Sequence, residues 1–312
     1  MSKTIKELAD EFYLTEDDST LITKCKGVHK KVEKFMEKII IFNKVNKSFK
    51  DTVALSNVSF EVSEGEIFGF LGPSGAGKTT TINILTGQLD ADSGEVKIIG
   101  KNSKDLKYND FLKIGIMSDN VGFYERLSLY DNLKFFAKFH EVDIKYLDTL
   151  LKRLDLYDDR LKKANKLSTG MKQRMLLIRA MLHTPKIIFL DEPTSGMDPT
   201  LAKKVHDMLL ELKSKGVSIF LTTHNMEEAT KLCDNIALLY KGRIIEKGSP
   251  QSIIDKYSQI DKVKVVFFDG TEKIIPKEET YKYLGINTKT INTLENNLED
   301  IFVQLTGDEL ND

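Results

Sequence analysis

Residues Gly72, Pro73, Ser74, Gly75, Ala76, Gly77, Lys78, Thr79 and Thr80 follow one another in the pattern G-x-x-x-x-G-K-[ST]. Glycines at 72, 75 and 77 let the backbone come close to phosphate oxygens and turn its N–H groups inward, and a helix starting at the end of the loop adds its positive terminus. Lys78 offers a point charge to the β- and γ-phosphates, and the hydroxyl of Thr79 suits Mg²⁺. The chemistry implied is capture of a nucleoside triphosphate. Far downstream the apolar run IIFL ends in Asp191-Glu192. A carboxylate at the end of a buried strand suits a metal ion, and the acid beside it can take a proton from an attacking water. Alone, Asp-Glu-Pro reads equally as a helix cap. Next to a phosphate loop the pair points to hydrolysis.

These residues need a scaffold that brings distant segments together. IFGFL before Gly72, IIFL before Asp191 and VSIFL before Thr222 are short and almost wholly apolar, as strands of a parallel sheet buried on both faces are. TTINILTG after Lys78 reads as a helix, so the phosphate loop has a strand before it and a helix after it. Between about 122 and 183 the pattern is helical. IALLY, Lys241-Gly242 and RIIEKG form a hairpin pattern, although Lys-Gly is a weaker turn signal than Asn-Gly. The alternation of short apolar runs with amphipathic ones indicates an α/β fold, and the motif from Gly72 to Thr80 between strand and helix resembles that of a P-loop NTPase core.

Other motifs give this reading a family. Leu167-Ser168-Thr169-Gly170-Met171, followed by Lys172-Gln173-Arg174, resembles the LSGGQ signature of ATP-binding-cassette (ABC) ATPases, with the usual Gly-Gln pair replaced. A helix beginning there can offer N–H groups and the Ser168 hydroxyl to a γ-phosphate, although the octapeptide taken alone is also an ordinary helix cap. Ser195-Gly196-Met197-Asp198-Pro199 is similar to the family's D-loop, and His224 after Thr222-Thr223 resembles its switch histidine. Phe49 matches the aromatic that stacks on adenine; a core phenylalanine is the plainer alternative. The resemblance implies ATP and Mg²⁺ as ligands, an antiparallel β subdomain and a helical subdomain around the core, and Glu192 and His224 as catalytic residues. It also implies a head-to-tail dimer in which the signature of one copy closes over the nucleotide of the other. One position departs from the pattern. Where the family places a glutamine that contacts Mg²⁺ and senses the membrane partner, the chain has Ser118-Asp119-Asn120, and Asp119 is aligned with it. A carboxylate there can still touch the metal beside Thr79 and Asp191, but it lacks the amide donor and adds negative charge.

The resemblance spans about residues 40–248, and the expected organisation is an N-terminal helical extension over 1–38, the ATPase domain over 39–250 and a small α+β module over 251–312. The extension carries an acidic arm and a basic arm, and its role stays open between a solvated helical face and a docking element. In the last segment, strand-like runs flank Asp269-Gly270, and Leu298, Ile301, Phe302 and Leu305 lie at helical spacing before Gly307. Its ending NLEDIFVQLTGDEL resembles the tail of the drug-export and bacteriocin-immunity branch.

Composition limits what else the chain can be. Of 312 residues 41% are hydrophobic and 30% charged, and 46 basic residues face 47 acidic ones, so there is no global field for nucleic acid. Cys25 and Cys233 stand far apart in no metal-binding pattern. No apolar run approaches the roughly 18 residues needed to span a bilayer. Transport therefore requires separate permease subunits, which would hold the chain at the cytoplasmic face of the membrane. A soluble member of the superfamily acting on ribosomes or DNA usually has two cassettes or a coiled-coil insert, and neither is seen. An unrelated kinase or GTPase leaves the signature, D-loop and histidine unexplained.

Overall fold

The continuous apolar runs are explained by a sheet covered on both sides. A computed structural model describes residues 37–118, 122–258, 262–285, 287–294 and 296–307. The extension expected over 1–38 therefore lies outside the described residues up to residue 36, and strand β1 (Lys38–Phe49) already begins at Lys38. Asp119 also lies outside them.

The central sheet has six strands in the order β10-β9-β3-β8-β7-β6. These are β3 (Ile67–Leu71), β6 (Ile114–Met117), β7 (Ile187–Asp191), β8 (Ser218–Thr223), β9 (Asn235–Tyr240) and β10 (Arg243–Gly248). All neighbours run parallel except β10, which returns antiparallel along β9. Side chains alternate between two cores. Ile67, Leu71, Ile188, Leu190, Ile219 and Leu221 face one, while Phe68, Phe70, Phe189 and Phe220 face the other. Period-2 alternation with both faces covered makes the middle of β3, β7 and β8 apolar, with polar residues only at their ends, and this is why they read as apolar runs.

The phenylalanine core lies against a four-stranded antiparallel sheet of order β2-β1-β4-β5, made of β1, β2 (Thr52–Ser63), β4 (Ser93–Ile98) and β5 (Lys101–Asn102). Phe60 of β2 stacks on Phe42, Phe68 and Phe220 at centroid distances of 4.9, 5.3 and 5.7 Å, which ties the two sheets together with offset ring contacts. The other core is covered by helices. Helix α1 (Lys78–Leu85), which instead sends Ile82, Ile84 and Leu85 into the phenylalanine core, and α2 (Tyr108–Phe111) precede β6, and α3 (Leu129–Phe139), α4 (Ile144–Arg153) and α5 (Thr169–Met181) fill the stretch before β7. Helices α6 (Pro199–Ser214), α7 (Met226–Leu232) and α8 (Pro250–Tyr257) follow β7, β8 and β10. Their starts are written in the sequence. Ser128, Asp143, Ser168, Asp198, Asn225 and Ser249 each accept a backbone N–H of the first turn, and Pro199 and Pro250 occupy opening positions where no donor is needed.

The end of the chain divides between two cores. Strands β11 (Lys262–Phe267), β12 (Glu272–Pro276) and β13 (Thr288–Thr293) form a three-stranded antiparallel sheet with its own small core of Val263, Val265 and Ile275. The hairpin turns at Gly270. Helix α9 (Leu298–Thr306), capped by Asn297 and stopped by Gly307 at φ 72°, instead packs Leu298, Ile301 and Phe302 into the helical core of the main sheet.

Candidate nucleotide site

The carboxyl ends of three parallel strands meet where the sequence placed its candidates. Strand β8 lies between β3 and β7, with Leu71 opposite Thr223 and Thr222 opposite Asp191. Loops leaving parallel strands at this edge are where α/β sheets bind ligands. Here the sheet order brings together residues that lie far apart in the chain.

The phosphate loop leaves β3 at Leu71 and enters α1 at Lys78. Two of its glycines are required by close approach. A Cβ on Gly72 would lie 2.3 Å from the Leu239 carbonyl oxygen, and one on Gly77, which sits at φ 113°, would lie 2.7 Å from that of Ala54. Lys78 is 8% exposed, and its Nζ donates to the Gly72 carbonyl at 2.6 Å and pairs with Glu192 Oε1 at 3.2 Å. The Thr79 hydroxyl donates to Asp191 Oδ2 at 2.9 Å, and the Thr222 hydroxyl donates to Asp191 Oδ1 at 2.5 Å. Both carboxylate oxygens of Asp191 are thereby held by threonine hydroxyls.

Glu192 is held with equal definition. Its backbone takes the left-handed φ of 50°, uncommon for a residue with a side chain, and its N–H donates to the Thr222 carbonyl at 3.1 Å. Its Oε2 lies 2.9 Å from Nδ1 of His224, and its Oε1 is the oxygen paired with Lys78. A carboxylate only accepts, so Nδ1 carries the proton in this contact. Lys78, Thr79, Asp191, Glu192 and His224 thus form one bonded cluster. It lies on a cleft of about 410 Å³ lined by Pro73, Ser74, Gly75, Gly77, Thr80 and Gln173 together with Lys78, Thr79, Asp191, Glu192 and Ser195. A lining of Thr52, Val53 and Ala54 completes the rim, and Phe49 pairs with Thr52 across the turn between β1 and β2 and is 47% exposed. Hard oxygen donors from Thr79 and Asp191, side by side next to a lysine at the start of α1, fit Mg²⁺ with a polyphosphate.

The signature segment lies elsewhere. Ser168 caps α5 by accepting the Met171 N–H at 3.3 Å, Leu167 is buried and Met171 packs on the helical core. A Cβ on Gly170 would meet nothing within 4 Å. Arg174 pins this first turn, donating from Nε to the Gly170 carbonyl at 3.1 Å and from Nη1 to that of Leu154 at 2.8 Å. Ser168, Thr169 and Gly170 do not line the chain's own cleft, whereas Gln173 does.

Known proteins are similar to this chain in sequence and fold. The family model for ABC transporter matches residues 55–195. A fluoroquinolones export ATP-binding protein of Mycobacterium tuberculosis is 35% identical over 268 residues, covering 82% of this chain and 89% of that one. The chain belongs to the ATP-binding subunits of ABC transporters. A Nod factor export ATP-binding protein I of Burkholderia lata is 31% identical over 301 residues, with 88% of this subunit and 98% of that protein covered. Among solved structures, an ATP-binding subunit of an ABC transporter superposes with a TM-score of 0.64 at 27% identity, over 70% of this subunit and 93% of that chain. An ATP-binding cassette in a dimeric post-hydrolysis state bound to ADP and Pi superposes with a TM-score of 0.61 at 26% identity, over 67% and 98% of the two. The subunit is accordingly an ATPase. No helix among its described residues is long and apolar enough to cross a membrane.

Several residues of the site escape a reading by motif alone. Thr222 orients Asp191, yet in sequence it is one more residue of a buried strand. Gln173 lies inside an amphipathic helix and carries no local sign of facing a cleft. The stretch 52–54 joins the rim because β2 returns beside the phosphate loop, a tertiary fact without a local pattern.

Proposed function

We propose that this subunit hydrolyses ATP with Mg²⁺ as half of a head-to-tail dimer and drives export through separate transmembrane permease subunits at the cytoplasmic face of the membrane. One contrast carries the reading: Lys78, Thr79, Asp191 and Glu192 line the cleft, with His224 bonded behind Glu192, while Ser168 and Gly170, which resemble the phosphate-contacting signature, do not line it. A γ-phosphate bound at Lys78 lacks those donors until a second copy brings them.

In this reading Lys78 and the loop amides bind the phosphates, and Phe49 offers its exposed face to the adenine ring. Mg²⁺, taken by the Thr79 and Asp191 oxygens with Asp119 as a further ligand, supplies charge neutralisation on the phosphates. Water attacks the γ-phosphorus, its proton passes to Glu192, and the bond to the ADP oxygen breaks. His224 keeps the Glu192 carboxylate turned toward the water. Leu167, Ser168, Thr169, Gly170 and Met171 of the other copy close the γ-phosphate side with the N-terminus of α5. The cargo in this reading is a drug, peptide or bacteriocin-like compound; the fluoroquinolones and Nod factor export relatives support export, and the ending NLEDIFVQLTGDEL supports the drug-export and bacteriocin-immunity branch by resemblance. The test is the oligomeric state of Glu192→Gln with ATP and Mg²⁺, measured by light scattering. A stable dimer is expected, and a monomer refutes the shared site. Purification from membranes should bring down a permease chain.

A further inference from the structure

Behind the cluster lies a carboxylate that does not line the cleft. Glu228 of α7 is 4% exposed, and each of its oxygens is engaged. Oε1 accepts from the Thr194 hydroxyl at 2.7 Å and from His206 Nε2 at 2.8 Å, while Oε2 accepts from the Thr223 hydroxyl at 3.0 Å. Because a carboxylate can only accept, His206 must carry its proton on Nε2.

The local explanation for a glutamate here does not hold. Glu228 stands three residues after Asn225, the cap of α7, where a glutamate ordinarily turns back to accept the cap's own N–H. The Glu228 N–H does donate to Asn225 Oδ1 at 2.9 Å, but the Asn225 N–H goes to the Thr223 hydroxyl at 3.0 Å. The carboxylate is turned inward instead, where a charge is costly unless fully bonded. Burial pushes its pKa up, and the hydrogen bonds from His206, Thr194 and Thr223 outweigh this and leave it below the ordinary glutamate value.

Its three partners come from three separate segments. Thr194 is on the chain leaving β7, between Glu192 and Ser195; Thr223 ends β8 and precedes His224; His206 is on α6. We infer that Glu228 is a positioning residue for hydrolysis, locking the segment of Glu192 and Ser195 to the segment of His224 so that the 2.9 Å contact between Glu192 and His224 is kept. The inference rests on the proposed roles of Glu192 and His224. A small displacement of such a pair is enough to cost orders of magnitude in rate without affecting phosphate binding at Lys78.

Glu228→Gln keeps the shape but turns an NH₂ group toward hydroxyl or imidazole donors. In the full chain its kcat should fall about 10-fold or more, with affinity for a fluorescent ATP analogue within about twofold of wild type. Thr194→Val should lower kcat several-fold, and Thr194→Ser, which keeps the hydroxyl, should restore it; this pair decides the matter if Glu228→Gln does not fold. Wild-type kcat in Glu228→Gln and Thr194→Val, or an equal loss of affinity and kcat that Thr194→Ser does not relieve, overturns the inference. Glu192→Gln is assayed in parallel: turnover there refutes the base itself, whereas its loss beside normal Glu228→Gln turnover refutes only the lock.

Discussion

The strand ends of β3, β7 and β8 and the first turn of α5 both carry residues suited to phosphate chemistry, but they differ in how their polar groups are satisfied. At the strand ends every principal side chain already has a partner across the cluster: Lys78 with Glu192, Thr79 and Thr222 with Asp191, His224 with Glu192. At α5, Ser168 bonds to its own helix and Gly170 has open space where a side chain would be. The first arrangement is fixed by contacts within the chain itself. The second is presented outward. In the proposed dimer these are the organised half and the offered half of one shared site.

The strongest way to break this comparison is Glu192→Gln, which removes a proton acceptor from the organised half and should lower kcat by about 10²- to 10⁴-fold in a phosphate-release assay. If turnover persists, Glu192 is not the base. Lys78→Ala comes next. It deletes the charge aimed at the β- and γ-phosphates and should weaken ATP binding by about 10- to 100-fold in a titration, a loss on the order of that for a charge-assisted hydrogen bond. For the offered half, Ser168→Ala should leave ATP binding unchanged and lower turnover about 10-fold, the order of one lost hydrogen bond to a charged group. Since Ser168 also caps α5, the alanine should cost roughly 1 kcal/mol of stability. Ser168→Asn separates the effects, because it keeps a capping oxygen but not the hydroxyl. Turnover should stay low while the unfolding midpoint recovers.

The smallest effect concerns the helix that carries the offered half. His183, just beyond α5, stacks on His140 at a centroid distance of 4.0 Å, and its ring nitrogens are buried beside the Ile114 backbone. Burial, and then the His140 imidazole, push its pKa down to about 4. Between that value and the ordinary 6.5 the unfolded chain binds more protons, so this contribution to stability is intact above about pH 6.5 and is lost as pH falls toward 4. Comparing thermal midpoints at pH 7.5 and 5, the wild type should lose a few degrees more than His183→Gln.

What could be read from sequence follows from which forces act locally. The runs before Gly72, Asp191 and Thr222 were legible as buried strands because both faces of β3, β7 and β8 are covered. Phosphate binding was legible because the loop's glycines, lysine and threonine sit in one stretch. Strand order was not, since nothing in the local sequence of β8 states that it lies between β3 and β7. Strand β13 was missed because TKTINT is polar on an exposed edge and shows no alternation. Helix α9 was foreseen as a helix, but the same apolar stripe could have served the small sheet or the main core. Glu228 and His206 look like solvated residues of amphipathic helices, and only the packing of α6 and α7 turns them inward.

The turn between β9 and β10 has both residues at positive φ, 47° for Lys241 and 75° for Gly242. A two-residue hairpin tip is ordinarily a safe place to insert an epitope tag or fuse a reporter. In this subunit it is a poor choice. Gly242 donates to the Ala76 carbonyl in the phosphate loop at 3.1 Å and accepts from the Ser56 N–H at 2.8 Å, and a side chain there would lie 2.7 Å from the Ala54 carbonyl. Anyone labelling the protein at this apparently idle tip would be prying apart the nucleotide cradle from behind, whereas the hairpin tip at Asp269-Gly270, where a Cβ on Gly270 meets nothing, is the place to put the label.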